Sequence, residues 1–164
     1  MFYLVSGIPG CGKTEILKKF SLKHKSFKII NDKEFAKKHN TGTFDKKDNE
    51  YLVDISKLNK AFVIFIKDTK NKDKEIIFEG HLWCEMSKSN LSKFTQVFVF
   101  DIPEKLLRER LEKRKYHLVK IEENIFCRNN RYIENLFEKK GISFKKVLLN
   151  NNINDNVKLF EMFF

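Results

Sequence analysis

Short apolar runs alternate with longer stretches whose apolar residues recur every three or four positions, and that alternation organises the chain. Phe2–Ser6, Phe27–Asn31, Glu75–Glu79, Gln96–Phe100 and Val147–Leu149 are compact runs of mainly Phe, Val, Ile and Leu. Apolar residues on successive positions suit strands covered on both faces, as in a parallel sheet. Between the strands, Ile16, Leu17 and Phe20 share one face of a helix predicted from about Gly12 to Lys25. Ile55, Leu58, Phe62, Phe65 and Ile66 do the same over Asp54–Lys67. Pro103 fits the first turn of a helix carrying Leu106, Leu107 and Leu111. A small helix is predicted near Lys33–Lys38, a longer one over Leu118–Lys140 closed by Gly141, and a short terminal one over Asp155–Phe164. Thr41-Gly42-Thr43 and the polar stretch to Glu50 read as a mobile loop. Strands alternating with helices predict an α/β fold, a three-layer α/β/α sandwich around a parallel five-stranded sheet, with ligands at the carboxyl ends of the strands. With 164 residues and neither repeats nor a linker, residues 1–164 read as one domain.

Directly behind the first run stands Gly7-Ile8-Pro9-Gly10-Cys11-Gly12-Lys13-Thr14. This is the phosphate-loop pattern in its required setting, a strand before it and a helix after it. Gly7, Gly10 and Gly12 free the backbone to turn successive N–H groups inward at phosphate oxygens. Lys13 can reach the β- and γ-phosphates, the Thr14 hydroxyl can ligate Mg²⁺, and the following helix adds its positive dipole end. The pattern implies binding of a nucleoside triphosphate.

Charge and cysteine usage narrow the setting. Thirty-three Lys and Arg against 22 Asp and Glu give a net charge of +11. Such a surface favours nucleic acid, yet scattered lysines equally fit a compositional bias on solvated faces. Cys11, Cys84 and Cys127 are odd in number with no C-x-x-C pair, which points to a reducing compartment rather than disulfides or zinc. The longest apolar run, Ala61–Ile66, has six residues, and the apolar N-terminal residues lead into the loop, so neither a membrane span nor a signal peptide is expected.

Three further positions carry candidate chemistry. Glu79 ends the run Ile76-Ile77-Phe78, where a Walker B acid would hold Mg²⁺ or its water. His81, two residues on, could orient a water or contact phosphate, or be an ordinary surface histidine. Arg110 and Arg114 are four apart on the helix after Pro103, so their guanidinium groups could clamp a transferring phosphoryl group. Salt bridges with Glu104, Glu109 and Glu112 are the structural alternative. Cys11 reads as a spectator thiol within the loop, and Trp83 as a core residue or a neighbour of the site.

Together these residues resemble the adenylate kinase isoenzyme 6 family. The resemblance runs through the G-x-P-G-x-G-K-T loop, Asn31-Asp32 with Phe35-Ala36, and Phe44-Asp45 with Asp54 beyond. It continues in Glu79-Gly80-His81, Glu109-Arg110-Leu111 with Arg114 and Tyr116, and Glu123-Asn124-Ile125 with Cys127. It implies a monophosphate-binding segment at about 31–53, with Asn31, Asp32, Lys37 and Asp45 on the acceptor side, and a lid at about 113–123. Gly7, Gly10, Cys11, Gly12, Lys13, Thr14 and Glu15 would line ATP, Arg114 would reach it from the lid, and Thr14 and Glu79 would hold Mg²⁺. Lys13, His81, Arg110 and Arg114 would be catalytic. It further implies phosphoryl transfer from ATP to AMP together with ATP hydrolysis. The implied setting is small-subunit ribosome maturation, with a platform ribosomal protein as partner and rRNA nearby, by a monomer of nucleus and cytoplasm. The chain departs from the family at Lys37, where Arg is frequent and lysine cannot form a bidentate fork. It also departs at Lys115, which replaces a lid glycine, at Arg128, which replaces an acid, and in a short C-terminal helix.

Overall fold

The computed structural model describes residues 1–46, 50–68 and 75–164. The expected strands form: β1 (Phe2–Ser6), β2 (Phe27–Asn31), β5 (Glu75–Glu79), β6 (Gln96–Asp101) and β7 (Lys145–Leu148) make one sheet in the order β2-β5-β1-β6-β7. Every neighbouring pair in it is parallel. In the three central strands apolar residues face both ways, which is why those runs lack polar alternation. Tyr3, Val5, Ile77, Phe98 and Phe100 pack on one side, while Leu4, Ile76, Phe78, Val97 and Val99 pack on the other.

Helices cover both faces. On the first lie α1 (Lys13–Lys23), α5 (Glu104–Lys113) and α8 (Ile153–Glu161), through Phe20, Leu107, Leu111 and Phe160. The Phe20 and Phe160 rings meet edge to face at 5.1 Å. On the second face, α3 (Ile55–Lys67) contributes Leu58 and Phe62, and α7 (Tyr132–Lys139) contributes Ile133 and Phe137. Fully buried Trp83 fills the space between Phe35, Phe62 and Phe78. The fold is the predicted three-layer α/β/α sandwich.

Three segments differ from expectation. The stretch Thr41–Glu50, expected as a mobile loop, belongs in part to a hairpin: β3 (Gly42–Asp45) pairs antiparallel with β4 (Glu50–Val53). Tyr51 and Phe44 stand opposite each other there, and the Tyr51 hydroxyl donates to the Gly42 carbonyl at 3.0 Å. Residues 47–49 lie outside the described residues. The single helix expected over 118–140 is two, α6 (Leu118–Asn129) and α7. Arg131 between them is left-handed (φ 51°), and the Asn130 amide donates to the Phe126 carbonyl. Asparagine side chains compete with the helix for such groups. The α8 helix starts at Ile153 rather than Asp155, because Asn152 caps it through the Asn154 and Asp155 N–H groups. A 3₁₀ turn (Leu82–Glu85) and the short α4 (Lys88–Leu91) complete the fold with α2 (Asp32–Lys38). No helix among the described residues is long and apolar enough to cross a membrane.

Candidate active site

Sheet register builds the site. Val5, Glu79 and Asn31 occupy one row across β1, β5 and β2, at the carboxyl ends of three parallel strands. The phosphate loop leaves β1 one residue later and returns into α1, whose N-cap is Gly12 (φ 102°). The missing side chain at Gly12 matters twice. It permits that backbone, and it leaves room for the Arg110 guanidinium, which a Cβ would crowd at 2.9 Å.

Lys13 folds back over the loop in this state. Its Nζ donates to the Gly7 and Ile8 carbonyls at 2.6 and 3.2 Å and lies 3.7 Å from Cys11 Sγ. The Thr14 hydroxyl donates to Glu79 Oε1 at 2.9 Å, and the Asn31 amide donates to the same oxygen at 2.7 Å. Glu79 is 1% exposed, so these two donors hold a buried carboxylate whose other oxygen is outside both bonds. The indole N–H of Trp83 donates to the Glu79 carbonyl at 3.1 Å, so the core residue also anchors the strand end.

The acidic strand end is braced from β2. Asp32 is 2% exposed, and its carboxylate accepts from the Leu82 N–H at 2.9 Å and from the Lys33 N–H at 2.7 Å. Gly80 (φ 141°) passes so close that a Cβ there would overlap the Asp32 carboxyl. Burial pushes the Asp32 pKa up, against the opposing pull of those N–H bonds and of Lys13 and Lys33. His81 Nδ1 stands 3.8 Å from Asp32 Oδ2.

These groups open onto a cleft of about 660 Å³, within the range of small-molecule sites. Gly10, Gly12, Lys13, Thr14 and Glu15 line it from the loop and α1, Asn31 and Glu79 from the strand ends, Asp32 from α2 and His81 from the start of the 3₁₀ turn. Arg114, Tyr116, Lys120 and Glu123 line it from the α5–α6 connection and α6. A family described as an AAA domain matches residues 4–131, which takes in the loop, Glu79, His81, Arg110 and Arg114. The chain belongs to the AAA domain family.

Known relatives of this AAA domain include a "Putative adenylate kinase" of Methanocaldococcus jannaschii, 34% identical over 74% of this chain and 63% of that protein. A protein of the same name from Thermococcus kodakarensis is 33% identical over 76% of this chain and 63% of its own length. An "Adenylate kinase isoenzyme 6 homolog" of Caenorhabditis elegans is 30% identical over 76% of this chain and 65% of that protein. The chain thus spans less than two thirds of the length of these relatives. Among solved structures, a shikimate kinase from Acinetobacter baumannii superposes with a TM-score of 0.63 at 13% identity, covering 99% of this chain and 92% of that one. One from Bacteroides thetaiotaomicron gives 0.60, also at 13% identity, over 99% and 97%. At that identity the likeness is one of fold.

The remaining expected site residues of the AAA domain divide. Gly7 and Cys11 belong to the loop but sit behind the surface that lines the cleft, and Cys11 is buried. Arg110 and Arg114 are placed differently. Arg110 Nη1 donates to the Cys11 carbonyl at 3.0 Å and Nη2 to the Asn150 carbonyl at 3.4 Å, so it braces the loop from behind. Arg114, the C-cap of α5, keeps the helical bond from its N–H to the Arg110 carbonyl at 3.2 Å, and it lines the cleft. Lys37 lies over the Tyr51 ring at 6.0 Å and Asp45 falls on β3; neither lines the cleft.

Two residues that sequence reading passed over do line it. Glu85 at the end of the 3₁₀ turn and Tyr132 at the start of α7 meet there, the Tyr132 hydroxyl donating to Glu85 Oε1 at 2.5 Å. That bond, and then burial, push the Tyr132 pKa up, so the phenol keeps its proton near neutrality. The only available signal was the Asn129-Asn130-Arg131 break just before Tyr132. Nearby, burial first and Glu85 second push the Cys84 thiol up to about 12.

Thr14 and Glu79 offer a hydroxyl and a carboxylate, both hard oxygen donors that suit Mg²⁺. No group of three or more His, Cys, Asp or Glu gathers into a metal cluster among the described residues.

Proposed function

We propose that this AAA domain is a nucleoside monophosphate kinase, transferring the γ-phosphoryl group of ATP to AMP or a related monophosphate, and hydrolysing ATP when no acceptor is seated. One observation carries the reading. The cleft that holds Lys13, Thr14 and Glu79 is also lined by Asn31, Asp32, Glu85 and Tyr132, polar side chains outside the phosphate loop that suit a second small substrate. The names of the three relatives point the same way.

Catalysis is then positioning and charge stabilisation. The loop N–H groups and the α1 dipole bind the phosphates, and Lys13 exchanges its carbonyl partners at Gly7 and Ile8 for phosphate oxygens. Thr14 and Glu79 would hold Mg²⁺, which would supply positive charge against that of the phosphates. A phosphate oxygen of the acceptor bonds to the γ-phosphorus as the bond to the β-phosphate bridging oxygen breaks, and ADP leaves with that electron pair. Arg114 stabilises the charge spread over the transferring group, while Arg110 keeps the loop in place.

A second reading has its own support. Among the described residues, Arg114 is the one arginine that lines the cleft, so an acceptor phosphate would meet Lys33 and Lys120 but no second guanidinium fork. In that reading water accepts the phosphoryl group near His81. The ATP cycle then switches the grip on a small-subunit ribosomal protein during rRNA maturation, in nucleus and cytoplasm.

A coupled assay separates the two. AMP-dependent ADP formation supports the kinase, and phosphate release without it overturns the kinase in favour of the switch. Lys13→Ala should lower both activities about a hundredfold or more, as loss of a charge-stabilising donor does. Full activity in that variant would overturn the site.

A further inference from the structure

The phosphate chemistry makes no use of the Glu85–Tyr132 pair. The two residues reach the cleft from elements far apart in sequence, Glu85 one 3₁₀ turn beyond the strand end that carries Glu79, Tyr132 directly after left-handed Arg131. Their elements are fastened a second time where Lys140 Nζ donates to the Cys84 carbonyl at 2.7 Å. Holding α7 against the turn therefore does not depend on the pair. Tyr132 remains 44% exposed, and both residues line the cleft.

The chemistry of the pair is one-sided. A carboxylate only accepts hydrogen bonds, and the phenol spends its one proton on that carboxylate. What faces a ligand is lone pairs and negative charge. A phosphate is repelled there, and a neutral group rich in N–H or O–H is held. The loop offers the opposite environment, N–H groups and Lys13, with Arg114 lining the same cleft.

We propose that the Glu85–Tyr132 pair selects the phosphoryl acceptor by binding its uncharged, donor-bearing part, a ribose hydroxyl or a base amine, while the acceptor phosphate lies toward Arg114. The proposal rests on the kinase reading for the identity of the ligand, and it moves acceptor recognition from Lys37 and Asp45 to the 3₁₀ turn and α7.

Calorimetric titration of the whole chain with AMP, 2′-deoxy-AMP and inosine monophosphate tests it independently of turnover. In the wild type, one analogue should bind about tenfold or more weaker than AMP, the scale of a hydrogen bond to a charged group. Weakening of the deoxy analogue identifies the ribose hydroxyl, and weakening of inosine monophosphate identifies the base amine. In Glu85→Gln that gap should close to about twofold, and Tyr132→Phe, which keeps the ring packing, should narrow it. General damage to the fold weakens all three ligands together and leaves the gap in place. A gap that survives in both variants, a wild type indifferent to both analogues, or one that binds no monophosphate overturns the proposal. If AMP-dependent ADP formation is missing while the gap behaves as expected, only the kinase reading fails.

Discussion

Replacing Gly80 by alanine tests how tightly the strand end is built. Its backbone (φ 141°) lies where residues with a Cβ are strained, at about 1–3 kcal/mol. The new Cβ would also fall on the Asp32 carboxyl, a short, buried side chain already held by the Leu82 and Lys33 N–H groups. Moving it gives up a hydrogen bond to a charged group, about 1.5–3 kcal/mol. Together Gly80→Ala should cost about 3–5 kcal/mol, or roughly 6–20 °C in Tm for a chain of this size. Gly141→Ala is the internal control. It too sits at positive φ (64°), but its added Cβ meets only the mobile tip of Lys88 at 3.3 Å. Left-handed strain alone should cost about 1 kcal/mol and 2–4 °C. Thermal unfolding followed by circular dichroism measures both. If the two variants melt within about 3 °C of each other, the close approach of Gly80 to Asp32 is not a constraint on the fold.

The remaining expectations concern the cleft. Arg110→Ala should raise the KM for ATP about tenfold with a smaller change in kcat, because Arg110 holds the Cys11 carbonyl of the loop, while Arg114→Ala should lower kcat about a hundredfold. Steady-state kinetics showing equal kcat losses would remove that division. Glu79→Gln still accepts from Thr14 and Asn31, so it should fold normally but require about tenfold or more Mg²⁺ for activity; an unchanged Mg²⁺ titration would contradict Glu79 as an ion ligand. Burial raises the Asp32 pKa above its ordinary 3.8, so the folded chain keeps a proton that the unfolded chain releases. That contribution is full below about pH 4 and is lost as pH rises through the raised value. Asp32→Asn should therefore gain stability relative to wild type from pH 4 toward neutrality in urea titrations, and a difference that moves the other way would refute the assignment.

The central strands were legible because burial on both faces leaves no polar alternation in the runs at Phe2, Glu75 and Gln96, whereas the edge strand at Phe27 carries exposed Lys28. Glu79 and the loop were legible because their chemistry depends on neighbours in sequence. What escaped depends on contacts between distant segments. The β3–β4 hairpin is stabilised by pairs such as Phe44 with Tyr51, which local composition hides behind Thr, Gly and Asp. The α6–α7 break turns on one residue, Arg131, adopting φ 51°. Arg110 is taken up by the Cys11 and Asn150 carbonyls, 99 and 40 positions away, which a four-residue spacing on one helix does not reveal. Glu85 and Tyr132 lie 47 positions apart, so no motif could join them.

Asn31 uses both ends of one amide. Its oxygen accepts from the Lys33 and Glu34 N–H groups and starts α2, while its nitrogen donates to Glu79 Oε1. A cation at Glu79 would meet Oε2, the oxygen outside both bonds, beside the oxygen that Asn31 holds. One side chain thus ties the carboxylate at the end of β5 to the start of α2, two parts of the cleft wall that are 48 positions apart in sequence.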